Sequence, residues 1–92
     1  MTIYIDDPMP IGGRYDGYCH LWSGDLDDAE LHEFARRLAL PRSWLQISHG
    51  MYVREFKHFD LSPSKRAQAL KLGARYMPMR QWINERRSAG DE

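Results

Sequence analysis

Apolar positions along this chain follow two periods, and the change between them marks the elements. Thr2 to Ile5 is β-branched and aromatic and stops at Asp6-Asp7-Pro8, which predicts a strand running into a loop. The loop, Asp6 to Gly17, contains Pro8, Pro10, Gly12, Gly13 and Gly17 and is long for so small a domain. Tyr18 to Trp22 predicts a second strand with His20 in its middle. The period then lengthens. Leu31, Phe34, Ala35 and Leu38 form one helical stripe, and Pro41 ends it. Asp27 is the expected N-cap, Glu30 completes a capping box, and Leu26 and Leu31 are spaced as a hydrophobic staple.

Trp44 to Ile47 predicts a third strand. A strand, a helix and a strand on short connections predict a right-handed parallel crossover. Ser48 to Glu55 reads as a loop, and Phe56 to Leu61 as a short strand or an extended approach to the next helix. That helix starts at Ser62 (N-cap) and Pro63 (first turn), runs to about Leu72, and has Gly73 as its C′ residue. Pro78 opens a third helix with Met79, Trp82 and Ile83 on its apolar side. Ser88 to Glu92 reads as a frayed tail. The prediction is a single small domain over residues 1–92, α/β or α+β, with an ordered core of about 2–87. Its sheet would have about three or four strands, packed with about three helices.

Composition narrows the class. A chain of 92 residues supports one hydrophobic core. The formal net charge is zero, which excludes a wholly basic nucleic-acid binder and an acidic disordered chain. The charge is uneven: acids dominate from Asp6 to Glu33, whereas Lys65 to Arg87 is basic apart from Glu85. Cys19 is the only cysteine, so an internal disulfide is impossible and a reducing cytosol is the natural compartment. No apolar run approaches the roughly 20 residues that span a bilayer, and Met1 to Asp7 lacks the features of a signal peptide. A soluble cytoplasmic protein is expected.

The most chemically suggestive stretch is His58 to Arg66. Lys65 and Arg66 fall in a first helical turn, where the backbone dipole disfavours cations. With Ser62 and Ser64 they form a candidate cradle for a phosphate or carboxylate. The alternative is an ordinary cap with two solvated cations. The glycine run of a P-loop is absent. His58 and Asp60 share a face if the segment is extended. His20 lies on another strand and meets them only through the fold. These three are the candidate catalytic residues, with the histidines as general acid or base and Asp60 orienting one of them. The bland reading has His58 bonding a loop and Asp60 helping to cap the helix. A divalent metal on the same residues ranks last, because compact ligand spacing and a second cysteine are missing.

Gln46 and Trp44 alternate about Leu45. Gln46 is a candidate reader of a base or amide edge, and Trp44 is either its stacking surface or, as expected first, a core residue. Asp6 and Asp7 are either a Mg²⁺ contact beside phosphate or a turn opening, and in a strand only one can aim inward. Arg14 is placed to clamp a phosphate or to remain solvated, and His49 sits in a loop that can approach the site. Cys19 faces away from His20. Arg80, Arg86 and Arg87 beside Trp82 suggest either nucleic-acid contact or the basic outer face of a closing helix.

Several segments together resemble a known family. They are Ile3-Tyr4-Ile5-Asp6-Asp7, Cys19-His20-Leu21-Trp22, Glu30-Leu31-His32-Glu33-Phe34-Ala35 and Trp44-Leu45-Gln46. His58-Phe59-Asp60-Leu61, Lys65-Arg66-Ala67 and Leu72-Gly73-Ala74 complete the set. Over Thr2 to Ala74 the chain resembles the DUF4031 family, small bacterial and phage proteins of unknown function. The resemblance implies a single-domain protein and carries no activity with it. Three positions depart from the family pattern: Phe59 replaces an aromatic hydroxyl, Ala39 a glycine, and Leu45 a phenylalanine. The first leaves no phenol at that position; the other two are expected to affect packing alone.

The functional expectation is a protein that binds phosphate or a nucleotide, with possible phosphoester processing. A non-catalytic binder of a nucleotide or host protein, and a small nucleic-acid-binding module, are the alternatives. Open sheet edges allow a homodimer.

Overall fold

The structure is a computed structural model describing residues 2–49 and 55–90, with side chains through Arg87. Five strands form one mixed sheet: β1 (Ile3–Ile5), β2 (Cys19–Ser23), β3 (Gln46–Ser48), β4 (Phe56–Leu61) and β5 (Arg75–Tyr76). Three helices complete it: α1 (Asp28–Arg37), α2 (Pro63–Lys71) and α3 (Met79–Gly90). The strand order is β3-β4-β2-β1-β5, antiparallel except for the parallel β1–β5 edge. This is a small α/β domain. No helix among the described residues is long and apolar enough to cross a membrane.

The two N-caps stand as expected, but the capping box does not close: the Asp27 N–H donates to the Ser23 hydroxyl at 3.0 Å rather than to Glu30. The Asp27 carboxylate accepts the Glu30 N–H at 3.2 Å, and the Ser62 hydroxyl accepts the Lys65 N–H at 3.3 Å. Gly73 follows α2 at φ 107°, a conformation that favours glycine. After α1, Ala39 occupies the same left-handed region at φ 60°. The Ala39 N–H donates to Arg36 O and the Leu40 N–H to Ala35 O, a Schellman ending. A glycine would meet this backbone requirement without strain, so Ala39 strains the turn rather than altering packing alone.

Four sequence expectations change. The helix α1 does join two strands of like direction, since β2 and β3 are both antiparallel to β4. They are not neighbours, because β4 lies between them. The burial pattern explains the order. Phe56, His58, Phe59 and Leu61 bury both faces of β4, which suits an interior strand, while exposed Gln46 and Ile47 suit an edge. Trp44 is not in a strand: Pro41 starts a 3-10 turn over Arg42–Trp44, and the indole is 58% exposed rather than in the core. The fifth strand, β5, has two residues and therefore no readable period; the Met77 N–H to Ile5 O bond (2.8 Å) continues its pairing. Finally, α3 continues through Ser88 to Gly90. Of the loop expected over Ser48 to Glu55, Ser48 ends β3 and residues 50–54 lie outside the described residues, as do the last two residues of the tail.

Strand alternation gives the sheet two unlike faces. On one, Ile3, Ile5, Cys19, Leu21, Phe59 and Leu61 pack against Leu31, Phe34 and Ala35 of α1, its C-cap Leu38, and Ala69 of α2. On the other, Trp22 and Phe56 pack with Trp82 of α3, with ring centroids 5.5 to 5.8 Å apart. Their partly buried neighbours include Tyr4, Met79 and Ile83. That apolar contact covers the Trp22 side of this face. The residues remaining on it toward β3 are His20, His58, Asp60 and Gln46.

Candidate functional site

The register of β4 builds the site. His20 on β2 is paired with Asp60, and Gln46 on β3 is paired with His58. Because His58 and Asp60 are two residues apart in a strand, their side chains share a face. The His20 and His58 rings meet edge to face with centroids 5.0 Å apart. One ligand atom from each of His20, His58 and Asp60 lies within 4.8 Å of the others. The fold thus brings the three predicted catalytic residues into one cluster.

Each imidazole is held from behind. Asp6, 6% exposed, accepts the His20 backbone N–H at 2.6 Å and receives its Nδ1–H at 2.7 Å. A carboxylate accepts, so the His20 proton sits on Nδ1 and Nε2 is left open. The hydrogen bond to Asp6 raises the His20 pKa above the ordinary histidine value against the opposing effect of burial, and the charges of Asp6 and Asp60 add to the rise. His58 is 4% exposed, and its Nδ1 lies 3.2 Å from the Phe56 carbonyl. A carbonyl also accepts, so His58 Nε2 faces Asp60 Oδ1 at 3.5 Å. Burial lowers the His58 pKa; its bond to Phe56 opposes this and the neighbouring His20 reinforces it. The two histidines are therefore pushed in opposite directions, His20 holding a proton more tightly than an ordinary imidazole and His58 less tightly.

Beside the cluster lies an open depression of about 720 Å³ lined by Arg14, Tyr15, Tyr18, Ser43, Trp44, Gln46 and Asp60. Asp60 belongs to both the depression and the cluster. Trp44 and Tyr15 are 58% and 55% exposed, an unusual use of large rings unless they meet something. Tyr15 packs edge-on against Tyr18 at 5.1 Å. The glycine-rich loop holds these tyrosines in place. Gly12 and Gly13, at φ 74° and 75°, lead into a 3-10 turn at Gly13–Tyr15. The Gly17 N–H then closes the loop on Met9 O at 2.8 Å. Sequence reasoning placed Arg14 here but missed Tyr15 and Tyr18. The available signal was Tyr15 in a loop too rich in glycine and proline to bury it; Tyr18 was hidden in the expected strand, which starts one residue later, at Cys19.

The expected cradle at α2 is arranged differently. Lys65 Nζ donates to Leu38 O at 2.6 Å, capping the carbonyl end of α1, and Arg66 Nε donates to Asp6 O at 3.2 Å. These bonds account for two cations in a first helical turn without an anion. The Ser62 hydroxyl is engaged with the Lys65 N–H, and Ser64 is exposed. Of the acidic pair, Asp6 points inward to His20, while Asp7 accepts the Tyr76 hydroxyl at 2.9 Å. Trp82 is buried with the Arg86 guanidinium 5.1 Å above it, so this indole is not available for base stacking. Cys19, on the opposite face from His20, is fully buried, and burial pushes its thiol pKa up to about 12.

No curated protein and no solved structure matches the chain. The family model described as Protein of unknown function (DUF4031) matches residues 3–89, which takes in all five strands, the cluster and the depression, and the chain belongs to that family.

Proposed function

We propose that this protein binds a nucleotide or a related phosphorylated ring compound in the depression and hydrolyses its phosphoester at the His20–His58–Asp60 cluster. The observation that carries the reading is the shared wall: Asp60 joins a histidine–carboxylate centre to a surface of exposed rings, an arginine and a carboxamide. Trp44 and Tyr15 offer faces for a planar ring, and every nucleobase has such a face. Gln46 offers both a donor and acceptors to an amide-like edge. Arg14 supplies the positive charge for a phosphate.

The cluster's part is to supply hydroxide. The water oxygen forms a new bond to phosphorus and the ester P–O bond breaks. One water proton passes to the departing alkoxide and the other stays with the phosphate, giving an alcohol and inorganic phosphate or a phosphomonoester. The open Nε2 atoms and the Asp60 carboxylate are the groups able to hold that water and draw off its proton.

The test is incubation of the full chain with mono-, di- and cyclic nucleotides, with divalent metals present, followed by mass spectrometry of products. Turnover is expected for at least one class, and His58→Ala should abolish it while nucleotide binding persists. Trp44→Ala should weaken binding about tenfold, the scale of one lost stacking contact, without changing Tm. Failure of every nucleotide to bind overturns the reading. Binding without any product overturns its catalytic half and leaves a nucleotide-sequestering protein.

A further inference from the structure

The cluster has a feature that acid–base chemistry does not require: both histidines have Nδ1 engaged and Nε2 open. Asp6 holds His20 by Nδ1 at 2.7 Å, and the Phe56 carbonyl holds His58 by Nδ1 at 3.2 Å. That leaves Nε2 of each ring without a hydrogen bond, in a cluster where one ligand atom from each of His20, His58 and Asp60 lies within 4.8 Å of the others. For neutral His58, Nε2 and Asp60 Oδ1 are two acceptors facing each other at 3.5 Å, which is unfavourable unless something positive lies between them.

We propose that His20 Nε2, His58 Nε2 and an Asp60 oxygen bind one divalent transition metal of the zinc class, with water in the fourth position facing the depression. This deepens the function proposed above and rests on reading the cluster as its reaction centre.

The distances support four-coordination. Zinc–nitrogen and zinc–oxygen bonds of about 2.0–2.1 Å place tetrahedral ligands about 3.4 Å apart, whereas octahedral neighbours would be about 3.0 Å apart. The His58–Asp60 separation of 3.5 Å fits the tetrahedral edge. No separation among the three ligand atoms exceeds 4.8 Å, so reaching that edge takes closures of at most ~1.4 Å, and the Asp60 side chain, 40% exposed, can turn toward either ring. Two imidazoles and one carboxylate favour zinc and its neighbours over magnesium or calcium, which prefer all-oxygen sets. Three protein ligands with one open position is the pattern of a reactive site, whereas a structural zinc takes four. Asp6 and the Phe56 carbonyl complete the site, since metal-binding histidines nearly always give their other N–H to such a partner. A water bound here has its pKa lowered toward about 7, which supplies the hydroxide at neutral pH.

The test uses the full chain, stripped with a chelator and titrated calorimetrically with Zn²⁺, Co²⁺ and Mg²⁺, with bound metal counted by elemental analysis. One Zn²⁺ per chain is expected, Mg²⁺ should bind far more weakly, and Co²⁺ should give the strong visible absorption of a four-coordinate ion. Asp60→Asn and His20→Gln should each weaken Zn²⁺ at least about 100-fold, and Asp6→Asn, behind the ligands, about 10–100-fold. His49→Ala, at an exposed position just after β3, should leave binding unchanged. Circular dichroism on each variant separates loss of metal from loss of fold, and Asp60→Asn, on an accessible side chain, is the variant expected to stay folded. Absence of a stoichiometric Zn²⁺ site, or affinity unchanged in folded Asp60→Asn and His20→Gln, overturns the proposal. Turnover by metal-free protein in excess chelator overturns the metal and keeps the phosphoesterase. Stoichiometric Zn²⁺ without any phosphoester product keeps the metal site and overturns the phosphoesterase.

Discussion

Substituting Ala39→Gly should stabilise this protein, and the size of the gain follows from one dihedral angle. Ala39 sits at φ 60° just after α1, in a Schellman ending fixed by the Ala39 N–H to Arg36 O and Leu40 N–H to Ala35 O bonds, 2.9 and 3.0 Å long. An L-residue in that region brings Cβ against the following carbonyl, at about 1–2 kcal/mol. Glycine removes this strain but gains freedom in the unfolded chain, which returns about 0.4–1 kcal/mol. The net gain is about 0.5–1 kcal/mol. In a domain of this size it corresponds to a Tm rise of roughly 2–8 °C. Far-UV circular dichroism, by heat and by urea at constant m, measures both. Ala67→Gly is the internal control: Ala67 is exposed inside α2, so the same chemical change there should cost about 1 kcal/mol. Ala39 is exposed too, so lost packing cannot mask the effect. A neutral or destabilising Ala39→Gly, with the control behaving as expected, would refute the strain argument.

Lys65→Ala should lower stability by about 1 kcal/mol, because Nζ caps the Leu38 carbonyl at the negative end of α1, and should leave phosphate affinity unchanged; a phosphate affinity that falls with no change in Tm would restore the anion cradle at α2. Cys19 should resist alkylation at pH 8 in the native protein and react on unfolding, since it is fully buried and its thiol is pushed up to about 12; rapid native labelling would contradict the placement of β2. The sign for Cys19 also sets an alkaline limit. Its folded pKa is raised, so its contribution is intact below the unfolded thiol value of 9.0 and is lost as pH climbs from there toward about 12. Cys19→Ala should flatten that part of the stability–pH curve.

Local signals were legible where they are carried by neighbours in sequence. The Asp27 and Ser62 caps, the Gly73 ending and the apolar stripe of α1 each depend on residues within one or two turns, and each stands where the pattern put it. The order of strands was not legible, because nothing in the run from β2 through α1 to β3 says that a strand arriving later will be inserted between them. Lys65 shows the same limit: its position in a first turn is a local fact, but its partner Leu38 is 27 residues away. The cluster was half legible. His58-Phe59-Asp60 has a spacing that puts the two polar groups together, but His20 joins them only through the β2–β4 register. Phe59 is explained by the same alternation. It belongs to the buried opposite face, against α1, so a hydroxyl on the ring at this position would not enter the cluster.

The division of one sheet face accounts for where chemistry can occur in so small a chain. A domain of 92 residues has few large apolar side chains, and α3 applies Trp82 to Trp22 and Phe56 rather than across the whole face. The remaining stretch holds polar groups whose burial would be costly without partners. Asp6 takes two bonds from His20, and Phe56 O takes one from His58. Phe56 is therefore both a core ring and the anchor of His58, stacked on it with centroids 5.0 Å apart. The apolar core and the cluster meet at that residue, so positioning of the cluster is tied to packing under α3. Truncating Phe56 to Ala should cost about 3–5 kcal/mol. It should also loosen His58 in any surviving folded population, whereas Trp44→Ala should alter ligand binding alone.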